Sequence, residues 1–410
     1  MSSITGCIMA RNEEKLIGGC IQSLKPFVDE IIVVDNGSTD HTKEIALKNG
    51  CRVFESPDSD VDKGRMLYVE NAQMEWLLIL DADERLDETK VELLKDTLAQ
   101  APQEVMAFRI PWYNYIGNGK SVETSTAARI VRNVKGIKYN NFSIHASITD
   151  SVKQMGGKTE NLHFPLQHFD IICGKRTAEK REIYRTKLES TIKDYQMNPT
   201  EYGALENIYV QYLFLGVEYS AIGDYISADK NYDIVIESKD STQDLAMVYK
   251  AFSAYANGQF ELAYDLACDL YKRNSFAERV YSIILEEELK KGKHKEALRI
   301  SEEMMAKKPH VAHVQLNHAL LLEKDETKKA LECMWNAINL NPYLLQEFIY
   351  SEPAYPNVYS FQCSILSSFV NIYHHLAGLY RQLGYYAEAE YWSNKEKYMK
   401  TKGELSEKFF

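Results

Sequence analysis

Three things are scarce in this 410-residue chain: long apolar runs, cysteines and blocks of basic residues. A membrane-crossing helix needs about 20 mostly apolar residues, and no stretch of this sequence comes near that, so a transmembrane span is excluded. Ile4–Met9 is entered without a basic segment and cleavage site ahead of it, so no signal peptide is expected and the expected location is cytoplasmic. The seven cysteines (Cys7, Cys20, Cys51, Cys173, Cys268, Cys333 and Cys363) are far apart and form no C-x-x-C pair. They read as reduced, mostly buried thiols and not as a disulfide frame or zinc site. Lys and Arg total 48 against 59 Asp and Glu, a net charge of −11 with no long basic run. That argues against general nucleic-acid binding and against an anionic membrane surface. What remains is a soluble globular composition, 45% apolar and 26% charged, of a length that predicts two or three domains.

The N-terminal part alternates strand and helix. Strands are expected at Ile4–Met9, Glu30–Val34, Arg52–Phe54 and Trp76–Asp81. Helices are expected after Arg11–Glu14 up to Pro26, from the Asp35–Asp40 cluster to Gly50, and over Lys63–Met74. Such alternation predicts a doubly wound parallel sheet. The fourth strand is the most informative. Trp76–Leu80 is an unbroken apolar run, as in a strand buried on both faces, and it ends in Asp81-Ala82-Asp83-Glu84. In an extended segment Asp81 and Asp83 point to one side. Two hard oxygen ligands on one side suit Mg²⁺ or Mn²⁺ carried by a diphosphate. The bland alternative is an acidic first turn of a helix, with Asp83 near its cap. Polar clusters also follow the first two strands, at Arg11–Glu13 and Asp35–Asp40. In a parallel sheet all three share one edge.

Ala10-Arg11-Asn12-Glu13-Glu14, Ile32–Asp40 and Leu80-Asp81-Ala82-Asp83-Glu84 resemble the family-2 glycosyltransferases of the GT-A fold, over roughly residues 1–170. The resemblance implies a nucleotide-diphosphate-sugar donor, a divalent metal and inversion at the anomeric carbon. By position it implies that Met9, Arg11 and Glu13 line the base and ribose pocket and that Asp35 and Asn36 reach the base. Many relatives carry Asp where this chain has Asn36. An Asn amide accepts from a uracil N3–H and donates to O4, which keeps uridine as the expected base. Lys63 and Arg65 would face the diphosphate, with a solvated helix face as their alternative. Asp83 would bind the metal directly, and Asp81 through water or the ribose.

Residues 105–170 are read as the acceptor side. Val105–Ile110 is a strand, and Pro111–Asn118 is an aromatic loop that either stacks on a sugar or peptide or simply packs. Arg129–Arg132 and Ile144-His145 resemble later motifs of the family, where the His is usually followed by Glu, a favoured base. Here Ala146 follows, so the base falls to His145, with Glu123 and Asp150 as alternatives. His168 resembles a family histidine near the domain's end and would complete the metal shell, with His163 as its local competitor.

The C-terminal part loses its strands. Lys175–Gln196 reads as one long helix, and then a repeat begins. Ala228, Ala263, Ala297 and Ala330 follow one another at 35, 34 and 33 residues. Gly223, Gly258 and Gly292 each stand five residues before their alanine, Asp325 replaces the glycine before Ala330, and Gly384 precedes Ala389 in a last copy. Pro309 and Pro342 lie 12 residues after theirs. This pattern resembles tetratricopeptide repeats: small alanines admit close helix crossing, Gly makes the turn and Pro ends the second helix. Residues 350–362 break the array and read as a loop.

The expected organisation is a GT-A domain over 1–170, a helical connector over 171–200 and tetratricopeptide-like repeats over 201–410. Repeat grooves bind peptides. A family-2 domain joined to such repeats resembles the peptide S/O-glycosyltransferases that modify glycocin bacteriocin precursors, the sublancin type. That implies transfer of glucose or N-acetylglucosamine from a UDP-sugar to Cys or Ser of a precursor peptide, and a homodimer through the repeats. Two alternatives stand beside it: a cell-envelope saccharide or lipid acceptor, and a non-catalytic repeat-based binding protein.

Overall fold

The computed structural model describes residues 2–56, 61–114, 123–140, 147–162, 164, 166–169, 178–198, 207–345 and 372–402. The N-terminal elements are β1 (Ile4–Ala10), α1 (Ile17–Leu24), β2 (Glu30–Asp35), α2 (Thr42–Lys48), β3 (Arg52–Glu55), α3 (Val61–Asn71), β4 (Trp76–Asp81), β5 (Glu84–Arg85), α4 (Val91–Gln100), β6 (Val105–Asn114), β7 (Glu123–Arg132), α5 (Thr149–Gln154), β8 (Lys158–Asn161) and β9 (Leu166–His168). They build one sheet in the order β3-β2-β1-β4-β7-β6-β9-β5, with β8 also paired to β6.

The strands β3-β2-β1-β4 are parallel, as the alternation predicts, but β7 runs antiparallel to β4 and to β6. The sheet is therefore mixed and not wholly parallel. The cause is the β6–β7 pair, whose two strands run antiparallel. Pro111–Asn114, expected in a loop, continue β6 and pair with β7; 115–118 lie outside the described residues. Proline is tolerated there because its N–H is not needed on every ladder position.

Both faces of the parallel strands are covered, and alternate residues go to opposite faces. Ile4, Ile8, Val33, Leu78 and Leu80 pack under α1, α2 and α4. Cys7, Ile32, Val34, Leu77 and Ile79 pack against Tyr68 of α3 and Val152 of α5.

After α6 (Ala178–Met197) come helical hairpins: α7 (Ile208–Ala221) with α8 (Tyr225–Ser238), α9 (Gln243–Ala256) with α10 (Phe260–Lys272), α11 (Ala277–Lys290) with α12 (His294–Lys307), α13 (Ala312–Leu322) with α14 (Thr327–Leu340), and α15 (Ile372–Gln382) with α16 (Tyr386–Lys402). Gly223, Gly258, Gly292 and Gly384 sit in the turns within the hairpins at φ of +82°, +77°, +72° and +82°, a conformation that costs a side-chain-bearing residue energy. At the Asp325 turn no residue has positive φ; the Asp325 and Glu326 N–H groups both donate to the Leu322 carbonyl. Ala228, Ala263, Ala297 and Ala330 are fully buried. Residues 350–362 lie outside the described residues. Among the described residues no helix is long and apolar enough to cross a membrane.

The hairpin core also holds a titratable group. His313 on α13 is buried, with Nε2 2.7 Å from the Glu278 carbonyl oxygen. Burial pushes its pKa down to about 4. The unfolded chain then binds a proton at a pH where the folded one does not, so stability falls as pH drops from the ordinary histidine range towards 4. His313→Gln is expected to remove up to roughly 3 kcal/mol of that slope, read from urea midpoints at pH 7.5 and 4.5. Equal slopes in both proteins would refute the assignment.

Candidate active site

The register brings the polar strand ends together. Ala10 pairs with Asp35, and Met9 with Asp81. Helices α1 and α2 lie on one face of the sheet and α3 on the other, so the winding reverses between β1 and β4. Open α/β sheets bind ligands in the crevice that such a reversal leaves at the carboxyl ends.

The loops after β1 and β2 form one wall, and they are zipped together. Asn12, at φ +56°, accepts from the Thr39 N–H at 2.7 Å and donates its own N–H to Ser38 Oγ at 3.0 Å. Asp40 accepts from the N–H groups of Glu14 and Thr42 at 3.1 and 3.0 Å. The Glu13 N–H donates to Thr42 Oγ1 at 2.6 Å, and the Glu13 carbonyl accepts from Leu16 and Ile17, fixing the approach to α1. Arg11 is exposed on this wall. Ser38–Asp40 thus do the work of a turn.

Asp35 and Asn36 differ from their neighbours. They are 5% and 4% exposed, and each keeps a buried Oδ1 without a hydrogen-bond partner among the described residues. A buried unpaired acceptor is costly, so these oxygens are set for a donor brought from outside. Opposite them, Gly64 brings α3 close to the end of β1: a Cβ there would lie 3.0 Å from Met9 Cε and 3.4 Å from Ser56 Oγ. Lys63 belongs to the same helix, but its side chain lies outside the described ones. The Arg65 guanidinium sits over the Tyr139 ring, 5.5 Å from its centroid, and Tyr139 in turn shares a 2.7 Å hydrogen bond with Tyr68. Arg65 is therefore half-buried, with one face of its guanidinium against a ring.

The acids after β4 do not begin a helix. A tight turn follows Asp81, and Glu84–Arg85 form β5. In the turn the two aspartates take different partners. Asp81 Oδ2 accepts from Arg129 Nη2 at 2.9 Å, and the same nitrogen binds Glu84 Oε1. Glu84 is fully buried, and its other oxygen accepts from the Asp81 N–H at 2.8 Å. Burial pushes the Glu84 carboxyl up to about 8 against the pull of Arg129. Burial also works to raise Asp81, but Arg129 and Arg65 outweigh it and hold that carboxyl below the ordinary range. Arg85 clamps the turn to α1 by donating to the carbonyls of Ala82, Glu84 and Leu16. Its guanidinium lies where a Cβ at Gly19 would stand, 2.6 Å away.

Asp83 meets a different partner. Strand β9 pairs with β5, His168 opposite Glu84, and the Phe169 N–H donates to the Asp83 carbonyl at 3.1 Å. His168 Nε2 thereby lies 3.7 Å from Asp83 Oδ2. One carboxylate and one imidazole suit Mn²⁺ or Mg²⁺ that takes its remaining ligands from a diphosphate and water. Among the described residues no three His, Cys, Asp or Glu side chains form a ready metal cage. Of the three expected ligands, the structure joins Asp83 with His168 and gives Asp81 to Arg129.

Other expected residues fall elsewhere. His145 and His163 lie outside the described residues, and Glu123 opens β7 with its side chain outside the described ones. Asp150 begins α5 and accepts from Asn140 Nδ2 at 2.7 Å. From sequence Arg129 is noted only within the Arg129–Arg132 motif, with no role assigned to it; a cation inside the apolar β7 run must find an acid when buried. Tyr139 is not singled out, because it stands in an irregular segment.

Residues 6–185 match the family profile described as Glycosyl transferase family 2. A TPR repeat-containing protein of Synechococcus elongatus is 28% identical over 206 residues, 48% of this chain and 49% of that protein. The lipopolysaccharide core biosynthesis glycosyltransferase LpsC of Rhizobium meliloti is 31% identical over 171 residues, 39% and 63% of the two chains. The chain thus spans about half of the first relative and under two thirds of the second. The SPbeta prophage-derived glycosyltransferase SunS of Bacillus subtilis is 37% identical over 84 residues, 20% of either chain. That match is confined to a fifth of the length, so the expected glycocin-type likeness is partial. Among solved structures, S. aureus TarS in complex with UDP-GlcNAc is a loose likeness, with a TM-score of 0.36 and 12% identity over 67% of this chain and 92% of that one. The matched segment takes in every described residue named at the strand ends above; it is similar to family-2 glycosyltransferases and is followed by helical-hairpin repeats.

Proposed function

We propose that this protein moves a hexose, glucose or N-acetylglucosamine, from a UDP-sugar to a Cys or Ser side chain of a precursor peptide, with inversion and with Mg²⁺ or Mn²⁺. One observation carries the donor half. The unpartnered Asp35 and Asn36 oxygens and the Asp83–His168 pair lie at one sheet edge, where the winding reverses. A uracil N3–H satisfies one of those oxygens, and the Asn36 amide donates to O4. Met9, Arg11 and Glu13 line the base and ribose, and Lys63 and Arg65 face the diphosphate. Asp83 and His168 hold the metal, with Asp81 beside them reaching the ribose or a metal-bound water. A divalent metal supplies charge that stabilises the departing diphosphate.

The C1–O bond to the diphosphate breaks as a C1–S or C1–O bond forms on the opposite face, and the acceptor's proton leaves. His145 is the proposed base. A thiol, with a pKa of about 8.5, needs less help than a hydroxyl, which fits the Ala at 146. The hairpin repeats support a peptide acceptor and a homodimer, and the cytoplasm is where such a donor would be met.

A second reading has its own support. The likeness to LpsC favours a cell-envelope saccharide acceptor. With Mn²⁺ and a panel of UDP- and GDP-sugars, slow hydrolysis of one UDP-hexose and of no GDP-sugar is expected. Adding Cys-containing precursor peptides or core saccharides then separates the two acceptors. A folded protein that turns over no donor would make this a non-catalytic repeat protein.

A further inference from the structure

Residue 169 belongs to two places at once. Its N–H donates to the Asp83 carbonyl, one residue after His168. Its side chain is 5% exposed, and the apolar cluster that holds it is otherwise made of the repeat region: Ala312, Leu316 and Ala319 of α13, Ala330 and Met334 of α14, and Leu376 of α15 among others. It is not part of the clusters that fill the N-terminal sheet. Strand β9 is only three residues long; β6 pairs with it on one side, Asn114 opposite His168, and the two-residue β5 on the other. The ladder ends at His168, and directly beyond it the Phe169 ring, packed at the density of a protein interior, anchors the chain.

We infer that Phe169 is a positioning residue through which the repeat region holds His168 against Asp83, so that the repeats are part of the metal–diphosphate site. The inference rests on the proposed role of Asp83 and His168 as metal ligands. Metal–ligand bonds of about 2.1 Å leave little room for displacement, and a site whose supporting shell shifts by about 1 Å is lost. By linkage, whatever rearranges α13–α15 changes metal affinity, and metal binding changes the packing of those helices by the same factor.

Mn²⁺ binding to the full chain with UDP, followed by electron paramagnetic resonance of free Mn²⁺, tests this without turnover. Asp83→Asn is expected to lose Mn²⁺ binding. Phe169→Ala is expected to weaken it about tenfold or more while UDP binding without metal is kept, and Phe169→Leu to restore most of it. Leu316→Ala, in the same cluster but on the repeat side, should weaken Mn²⁺ in the same direction. Leu270→Ala, in the separate cluster of the earlier hairpins, should lower Tm and leave Mn²⁺ affinity alone. Wild-type affinity in both Phe169→Ala and Leu316→Ala overturns the inference with the metal pair intact. Wild-type affinity in Asp83→Asn overturns the metal pair, and the inference with it. An equal loss in Leu270→Ala reduces the effect to general instability and also overturns it.

Discussion

Asp83→Asn is expected to lower sugar transfer about a hundredfold to a thousandfold and to leave the protein as stable as before, or more so. Asp83 is one of three acids within four residues, and its charge opposes ionisation of both Asp81 and Glu84. Asparagine keeps the shape and removes that repulsion. The sequence alone pictures Asp83 as an exposed acid, whereas only 9% of it is exposed. An acid buried among acids is not placed for stability, and such sites gain stability when the charge goes. What is lost, on the proposed reading, is a ligand for the metal beside the departing diphosphate. Removing one preorganised electrostatic contact of that kind costs about 10²–10³ in rate or more. The measurement is kcat/KM for the UDP-sugar with its acceptor, beside Tm. Transfer within tenfold of wild type, or a Tm several degrees lower, would return the acid to a structural role.

Arg129→Met is expected to be the most destabilising single change in the domain. Arg129 bridges Asp81 and the fully buried Glu84. At a pH above about 8, where Glu84 is charged in the wild type, taking away Arg129 removes the partner of a buried charge and costs about 3–5 kcal/mol. The double variant Arg129→Met/Glu84→Gln should recover most of the loss, because Asp81 is more than a third exposed and solvates itself. The pH dependence has a definite sign. Glu84 has its folded pKa raised to about 8, above the ordinary carboxylate range. Between that range and 8 the folded state keeps a proton the unfolded state releases, so stability falls as pH rises. Without the pull of Arg129 the fall extends to higher pH. Urea midpoints at pH 5 and 8 should therefore differ more in Arg129→Met than in wild type, and hardly at all in the double variant. Additive single-variant losses would mean that the two side chains are not coupled.

Strand and helix order from Ile4 to Asp81 was legible because five apolar residues in a row, or an i, i+4 face, leave few alternatives. Asp81, Asp83 and the Asp35–Asn36 pair were legible as strand-end polar residues. The hairpin array was legible from its spacing, since Gly in a left-handed turn and Ala at a close crossing are steric demands that composition cannot hide. The reading misjudged places where local sequence permits two outcomes. Pro111–Asn114 carry β-forming aromatics beside a proline, and pairing with β7 decided for strand. Asp81–Glu84 fit a helix start equally well until Arg129, Arg85 and β9 closed round them as a turn.

The sequence by itself thus determined the order of elements, the repeat period and which residues could serve a diphosphate sugar. The first two follow from local sterics and from the period of apolar residues, the third from the resemblance of the strand-end motifs to family-2 glycosyltransferases. The tertiary structure alone decided partnership: Asp81 with Arg129, Asp83 with His168, Arg65 on Tyr139, and Phe169 inside the repeats. Each of those pairs joins residues between 48 and 85 apart in the chain, or in the last case more than 140. At such separations no local preference links the two side chains, and only the packing of the whole chain selects which charges and rings meet.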